Sequence, residues 1–273
     1  MTKSYLVFMD IDGTLVDDQQ RISSTTQQTI MALQDVADFY VATGRMYASA
    51  KIVAADINAD IVASNGSIYD LAGQQYTKQL GPDALQLIAN ALAKQPLPAF
   101  FFTDHQVFYT QDLPDYFKNS DTNRIASPNP ADYVKLPSPA DLPAHADTII
   151  NGIIIADQDT AGLTQMRQAL AQTDAFILSS SASNNLELIP KHSGKAAAIL
   201  AIQEQTSIDA AHTFVFGDGD NDVDMFGVAD YAVAMGNASS TVKQQAKFTT
   251  GTNYEDGIAT FLNAHLKGSL IHD

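Results

Sequence analysis

The feature that most constrains this chain is a set of short apolar segments, each ended abruptly by acidic or hydroxyl side chains and glycine. Such a segment is typical of a strand buried on both faces of a parallel sheet. Three of them lie far apart in the sequence, at residues 5–10, 39–42 and 213–216. The polar groups that end them are Asp10-Ile11-Asp12-Gly13-Thr14, Thr43-Gly44-Arg45 and Asp218-Gly219-Asp220-Asn221-Asp222.

Helical segments alternate with these strands. Helices are predicted from the hydroxyls of residues 23–25 to about Gln34 and over residues 46–55, with a further strand at residues 60–63. The alternation predicts an α/β fold with a parallel sheet and right-handed crossovers. It returns late in the chain with helices at residues 195–206, 221–228 and 256–266 and a strand at residues 231–234. Ligands bind at the carboxyl ends of such strands, so the three polar groups are expected to converge.

The middle of the chain differs from both ends in composition. Most prolines lie within residues 95–147, where they interleave with aromatic side chains and indicate a loop-rich region with its own small core. Strands at residues 148–156, 176–180 and 186–189 and a helix at residues 160–171 follow. We therefore predict a discontinuous core of residues 1–80 and 187–273 with an inserted α+β module of residues 81–186.

The charge balance excludes some partners. Fifteen Lys and Arg face 31 Asp and Glu, a formal net charge of −16, which disfavours binding to nucleic acid or to an anionic membrane. The chain has no cysteine, no apolar run near the roughly 20 residues of a membrane span, and no secretory leader pattern. We expect a cytoplasmic protein that acts on a small molecule.

Convergence of the acidic groups requires a cation. Two carboxylates about 4 Å apart repel by roughly 4 kcal/mol at an effective dielectric near 20. Mg²⁺ suits oxygen ligands and also accepts phosphate oxygens, whereas neither acidic loop has the Gly and Glu positions of a calcium EF-hand. The six histidines show no zinc-ligand spacing. A carboxylate held by a metal can attack phosphorus, and a second one nearby can act as general acid and base.

These motifs and their order resemble those of the haloacid dehalogenase superfamily. Asp10-Ile11-Asp12-Gly13-Thr14 resembles its first motif, Thr43 its second, Lys195 its third and the segment 217–222 its fourth. The inserted module lies between Thr43 and Lys195, which is similar to the Cof-like, type IIB group. The resemblance implies a Rossmann-like parallel-sheet core with an inserted α+β cap domain of type C2B. One departure is His192-Ser193-Gly194 before the lysine, where the family usually has Gly-Val-Ser.

The resemblance also implies roles for individual residues. Asp10 would be the nucleophile and a metal ligand, and Asp12 the general acid and base with its backbone carbonyl on Mg²⁺. The implied metal ligands are Asp10, Asp12, Asp218 and Asp222. The implied phosphate- and substrate-binding residues are Thr43, Gly44, Arg45, Lys195 and Asn221. Two side chains stay open from the residues alone: Arg45 could bind substrate or pair with a surface acid, and Asn65 could line the site or begin an Asn-Gly hairpin turn.

The function predicted is a Mg²⁺-dependent phosphatase of small phosphorylated metabolites, such as a sugar phosphate or a phosphorylated cofactor, acting through an aspartyl phosphate. One alternative is a phosphotransferase or mutase, which would use the same aspartyl phosphate but pass the group to a hydroxyl. Another is a non-catalytic protein that binds phosphometabolites. The sequence leaves the natural substrate open.

Overall fold

The computed structural model of the protein describes residues 3–112, 129–156, 159–180 and 183–266. Of the proline- and aromatic-rich stretch, residues 113–128 lie outside the described ranges. Strands and helices are numbered below in chain order. Among the described residues, no helix has the length and apolar character needed to cross a bilayer.

The larger of two sheets has eight strands in the order β14-β13-β12-β1-β2-β3-β4-β5. Six of them, from β14 to β3, are parallel, and β4 and β5 run antiparallel at one edge. The strands are β1 (Tyr5–Met9), β2 (Ala37–Ala42), β3 (Asp60–Ala63), β4 (Ile68–Leu71), β5 (Gln74–Thr77), β12 (Thr213–Gly217), β13 (Tyr231–Ala234) and β14 (Phe248–Thr249). The α/β fold with a parallel sheet is thus confirmed.

Helices cover both faces of this sheet. They are α1 (Ser24–Ala32), α2 (Tyr47–Ala55), α5 (Lys195–Thr206), α6 (Val223–Phe226), α7 (Ser240–Gln245) and α8 (Gly257–His265). The side chains of β1 alternate between the two cores: Val7 and Met9 pack on one face, and Leu6 and Phe8 on the other. All four are fully buried, which explains why this strand reads as an uninterrupted apolar run.

The smaller sheet has six strands in the order β10-β11-β9-β6-β7-β8, antiparallel except for the pair β7 and β8. They are β6 (Ala99–Phe102), β7 (Val107–Tyr109), β8 (Tyr133–Lys135), β9 (Asn151–Ile155), β10 (Phe176–Ser179) and β11 (Asn185–Pro190). Helices α3 (Pro82–Lys94) and α4 (Thr160–Leu170) pack on one face. The opposite face presents Phe100, Phe102 and Ile153 to Met46, which begins the α2 segment of the larger unit.

The chain passes between the two sheets twice. It leaves β5 through residues 78–81 into α3 and returns from β11 through residues 191–194 into α5. The predicted boundary at residue 187 falls inside β11, so we propose Pro190 as the end of the inserted module. The two passages lie side by side, because Lys78, His192 and Ser193 line one cavity of about 310 Å³.

Candidate active site

The carboxyl ends of three adjacent strands build the site. Strands β12, β1 and β2 are neighbours in the larger sheet, and each is followed directly by one of the polar groups described above. Parallel pairing in register brings Met9 opposite Phe216 and Val41. Residues that are separated by up to about two hundred positions in the sequence therefore meet at one edge.

Three carboxylates form the floor of the site. One oxygen from each of Asp10, Asp218 and Asp222 lies within 4.8 Å of the others. Asp10 and Asp222 are buried, and Asp218 is partly buried. The peptide N–H groups of Asp218 and Gly219 both donate to Oδ2 of Asp222, each at 3.0 Å, so the loop fixes that carboxylate through its own backbone.

A buried lysine partly neutralises this floor. Lys195 is the first residue of α5 and is only 1% exposed. Its Nζ donates to Oδ1 of Asp10 at 2.7 Å and to Oδ1 of Asp222 at 2.6 Å. The Gly194 that precedes it has φ 151°, a backbone angle that favours glycine. The departure at His192-Ser193-Gly194 thus leaves Lys195 buried within the acidic cluster.

One lysine does not neutralise the charge of three carboxylates, and the pKa values of Asp10 and Asp218 are raised. Burial, followed by the charge of Asp222, raises the pKa of Asp10 to about 8 although Lys195 acts in the opposite direction. Burial raises the pKa of Asp218 to about 6. Burial lowers the pKa of Lys195, but Asp10 and Asp222 raise it more, and the net shift is upward. The cluster therefore holds excess negative potential.

This donor set fits a hard divalent cation. Asp10, Asp218 and Asp222 offer oxygen atoms only, close enough together to share one ion. A cation would offset both the burial and the mutual repulsion that raise the pKa of Asp10 and Asp218. The side chain of Asp12 is not a member of this group. The expected contribution of the Asp12 backbone carbonyl to the cation stays a prediction.

Neighbouring side chains hold Asp218 in place. Thr14 Oγ1 donates to its Oδ1 at 2.8 Å, and Asn237 Nδ2 donates to its Oδ2 at 3.3 Å. Asn237 also donates to the carbonyl of Gly13 at 2.8 Å, which ties the loop after β13 to the loop after β1. A Cβ at Gly13 would lie 2.4 Å from Asp218, so only glycine fits there.

Arg45 pairs with Asp12, and a direct contact between Arg45 and substrate stays a prediction. The buried guanidinium donates from Nε to Oδ2 of Asp12 at 2.7 Å and from Nη2 to Oδ1 at 2.5 Å. Arg45 also contacts the side-chain oxygen of Gln20. A bidentate pair of this kind fixes the orientation of a carboxylate, so Asp12 is held at the rim of the floor.

A cavity of about 330 Å³ opens above the carboxylates. Thr43, Gly44, Arg45 and Asn221 line it, whereas Lys195 is not among its lining residues. Asn65 lines it as well. It lies inside the connection of residues 64–67 between antiparallel strands β3 and β4, which is longer than the two-residue turn of an Asn-Gly hairpin. The smaller sheet supplies the remaining walls through Phe102, Asn151, Gly152, Ile153 and Glu187.

Some lining residues had no predicted role. Asn151 and Glu187 lie within predicted strands, and nothing in an alternating or apolar pattern indicates that a polar member faces a ligand. Thr14 and Asn237, which hold Asp218, had no contact predicted for them either. Asp220, in the same loop as Asp218 and Asp222, is exposed.

Comparisons with known proteins agree on one family. A family model described as haloacid dehalogenase-like hydrolase matches residues 7–262. The 5-amino-6-(5-phospho-D-ribitylamino)uracil phosphatase YitU of Bacillus subtilis is 27% identical and covers 97% of this chain and 98% of its own. YbjI of Escherichia coli, a phosphatase named for the same compound, is 26% identical and covers 96% of each chain.

Solved structures share the fold over nearly the whole chain. A haloacid dehalogenase-like hydrolase from Bacteroides thetaiotaomicron superposes with a TM-score of 0.81 at 23% identity and covers 96% of this chain and 99% of its own. The subclass IIB sugar phosphatase BT4131 gives a TM-score of 0.78 at 23% identity and covers 95% of this chain and 98% of its own.

Proposed function

Because this chain belongs to the haloacid dehalogenase-like hydrolases and is a phosphatase of small phosphorylated metabolites, we propose that it works through an aspartyl phosphate on Asp10 with Mg²⁺ as its cofactor. The observation that carries the proposal is the buried cluster of Asp10, Asp218, Asp222 and Lys195 beneath a cavity. Three carboxylates beside one lysine leave an excess of negative charge that a bound cation would offset.

In the proposed first step, a carboxylate oxygen of Asp10 attacks phosphorus and the ester P–O bond breaks. The leaving alkoxide takes a proton from Asp12. In the second step Asp12 removes a proton from water, the water oxygen attacks phosphorus, and the P–O bond to Asp10 breaks. Inorganic phosphate leaves, and Asp10 is restored as a carboxylate.

The other side chains have positioning and electrostatic roles in this proposal. Asp10, Asp218 and Asp222, with the backbone carbonyl of Asp12, would hold Mg²⁺, which neutralises phosphate charge when bound. Lys195 orients Asp10 through its 2.7 Å bond and adds positive charge behind it. Thr43, Gly44 and Asn221 line the cavity where phosphate oxygens would lie. Arg45 sets the angle at which Asp12 faces the substrate.

The names of the relatives support a polyol ester as substrate. YitU and YbjI are named for a compound that carries a phosphorylated ribityl chain, and BT4131 is named a sugar phosphatase. We therefore propose a sugar phosphate, or a phosphorylated cofactor or precursor bearing a polyol, as the substrate of this chain.

The test replaces Asp10 with Asn and measures phosphate release with Mg²⁺ present and no acceptor alcohol. We expect a loss of kcat of more than about a thousandfold in Asp10→Asn, because the nucleophile is gone. Asp220→Asn, an exposed acid of the same site region, is the matched control and should keep wild-type activity. EDTA should abolish activity and Mg²⁺ should restore it.

Other outcomes would refute parts of the proposal. Substantial turnover by Asp10→Asn would contradict the covalent route, and hydrolysis in EDTA would contradict the cation. Phosphate appearing only on an added alcohol would identify a phosphotransferase.

A further inference from the structure

A tight turn between β1 and α1 carries a side chain, Gln20, that reaches Asp12. The backbone N–H of Gln20 donates to the carbonyl of Asp17 at 2.9 Å, which closes the turn. Asn253 Nδ2 donates to the carbonyl of Val16 at 2.9 Å and holds the start of the turn from outside. The path of the turn is therefore supported by contacts that do not involve the Gln20 side chain.

The backbone of Gln20 has a conformation that is unusual for a glutamine. Its φ is 62°, in the left-handed region that glycine and asparagine occupy far more readily. A residue with a Cβ costs roughly 1–2 kcal/mol there. The turn by itself favours glycine at this position, so the long amide side chain indicates a role outside the turn.

The Gln20 side chain joins the two members of the Arg45–Asp12 pair. Its Nε2 donates to Oδ1 of Asp12 at 3.4 Å, and its Oε1 accepts from Nη2 of Arg45. The same Nη2 donates to the same Oδ1 of Asp12, so the three side chains form a closed ring of hydrogen bonds. A primary amide can complete such a ring because it carries a donor and an acceptor side by side.

Gln20 contacts the general acid and base without contacting the space for substrate. Among the described residues, Asp12 and Arg45 line the cavity above the carboxylates and Gln20 does not. An effect of Gln20 on the chemical steps would therefore pass through the orientation of Asp12.

We infer that Gln20 is a positioning residue, which holds the Asp12 carboxyl group at the angle from which a proton reaches the leaving oxygen. This inference rests on the proposed function, in which Asp12 protonates that oxygen. General acid catalysis contributes about 10²–10⁴-fold and requires the acid to lie within hydrogen-bond reach of the reacting atom. A carboxyl group that is free to turn away would lose part of that factor.

The test replaces Gln20 with Asn, which keeps the amide and tolerates a positive φ but is one methylene shorter. The substrates are phenyl phosphate and p-nitrophenyl phosphate, which have similar shapes, and phenol is the poorer leaving group and depends more on protonation. In Gln20→Asn, we expect kcat/KM to fall at least about tenfold for phenyl phosphate and less than about twofold for p-nitrophenyl phosphate.

Two further variants separate positioning from a structural role in the turn. Gln20→Gly removes the side chain and relieves the backbone, so it should show the same rate losses with a Tm equal to or above that of the wild type. Gln19→Asn makes the same chemical change one residue earlier, at an exposed side chain, and should keep both kcat/KM values.

A double variant examines whether Gln20 acts through Asp12. In an Asp12→Asn background, Gln20→Asn should cause no further loss for phenyl phosphate, because the acid that Gln20 orients is gone. Equal losses for the two esters, or wild-type kcat/KM values in both Gln20 variants, would overturn the inference. A further loss of about tenfold in the double variant would overturn it too.

Failure of the proposed function gives different results from failure of this inference. If Asp12→Asn slows both esters equally, the acid role of Asp12 fails, whatever the Gln20 variants do. If the wild type hydrolyses neither ester with Mg²⁺ present, the phosphatase mechanism fails. A leaving-group dependence in Asp12→Asn that is absent from both Gln20 variants contradicts the role of Gln20 alone.

Discussion

Replacing Lys195 with Met is the sharpest test of how the acidic floor is held together. The Nζ–Oδ1 distances to Asp10 and Asp222 are 2.7 Å and 2.6 Å, and each such pair gains about 6 kcal/mol of Coulomb attraction at an effective dielectric near 20. Burying the ammonium cancels much of that gain. Removing one partner from a buried ion pair nevertheless costs about 3–5 kcal/mol, because the remaining carboxylates stay buried and unpaired.

We therefore expect Lys195→Met to lower the free energy of unfolding by about 3–5 kcal/mol in EDTA above about pH 8, where Asp10 is ionised; this is a large share of the total for most proteins. Urea denaturation followed by circular dichroism measures it. Lys191→Met is the matched control: Lys191 pairs with Asp174 on the surface, so its loss should cost less than about 1 kcal/mol. Equal losses of unfolding free energy in the two variants would refute the claim that Lys195 holds the three carboxylates together. A loss below about 1 kcal/mol in Lys195→Met would refute it too.

Two further predictions concern protons. Without a cation, burial raises the pKa of Asp10 to about 8 and that of Asp218 to about 6, against an ordinary 3.8. Folding then takes up protons, so this contribution to stability is complete below about pH 4 and is lost as the pH rises to about 8. Since Mg²⁺ binds the deprotonated carboxylates, its increase of Tm should be larger at about pH 8 than at about pH 5.5, and an equal increase would count against the site. Asp12→Asn should slow esters with poor leaving groups most, and a uniform loss across a leaving-group series would argue against its acid role.

The parts of the fold that could be predicted are those in which one local pattern decides the structure. Strand β1 is buried on both faces and ends at Asp10, so its apolar run and its end were both visible in the sequence. Helix α5 was predicted over the same residues that the structure shows. Strand β5, by contrast, is exposed at every position and carries no apolar signal, and its pairing with β4 is set by the hairpin turn.

Parts of the site depend on pairings between distant residues, and these could not be predicted. Arg45 and Asp12 meet because β1 and β2 are neighbours, and the sequence alone does not reveal which acid the guanidinium reaches. Asn65 and Glu187 are 122 positions apart: Asn65 lies in the connection after β3 of the larger sheet, and Glu187 lies in β11 of the smaller sheet. The roles of Asp10, Asp12, Lys195 and the other site residues remain predictions for the experiments above.

The adjacent passages between the two sheets have an evolutionary consequence. Lys78 and Ser193 border the same cavity, so the whole inserted segment enters and leaves the larger unit at nearly one point. The inserted segment is thus connected to the larger sheet in the way that one long surface loop would be. Lengthening a loop adds little to the entropic cost of closing it on folding. A chimeric protein that exchanged everything between those two points would keep the three carboxylates and receive a different smaller sheet above the cavity. Exchange of this one segment would therefore give related chains a direct way to change substrate.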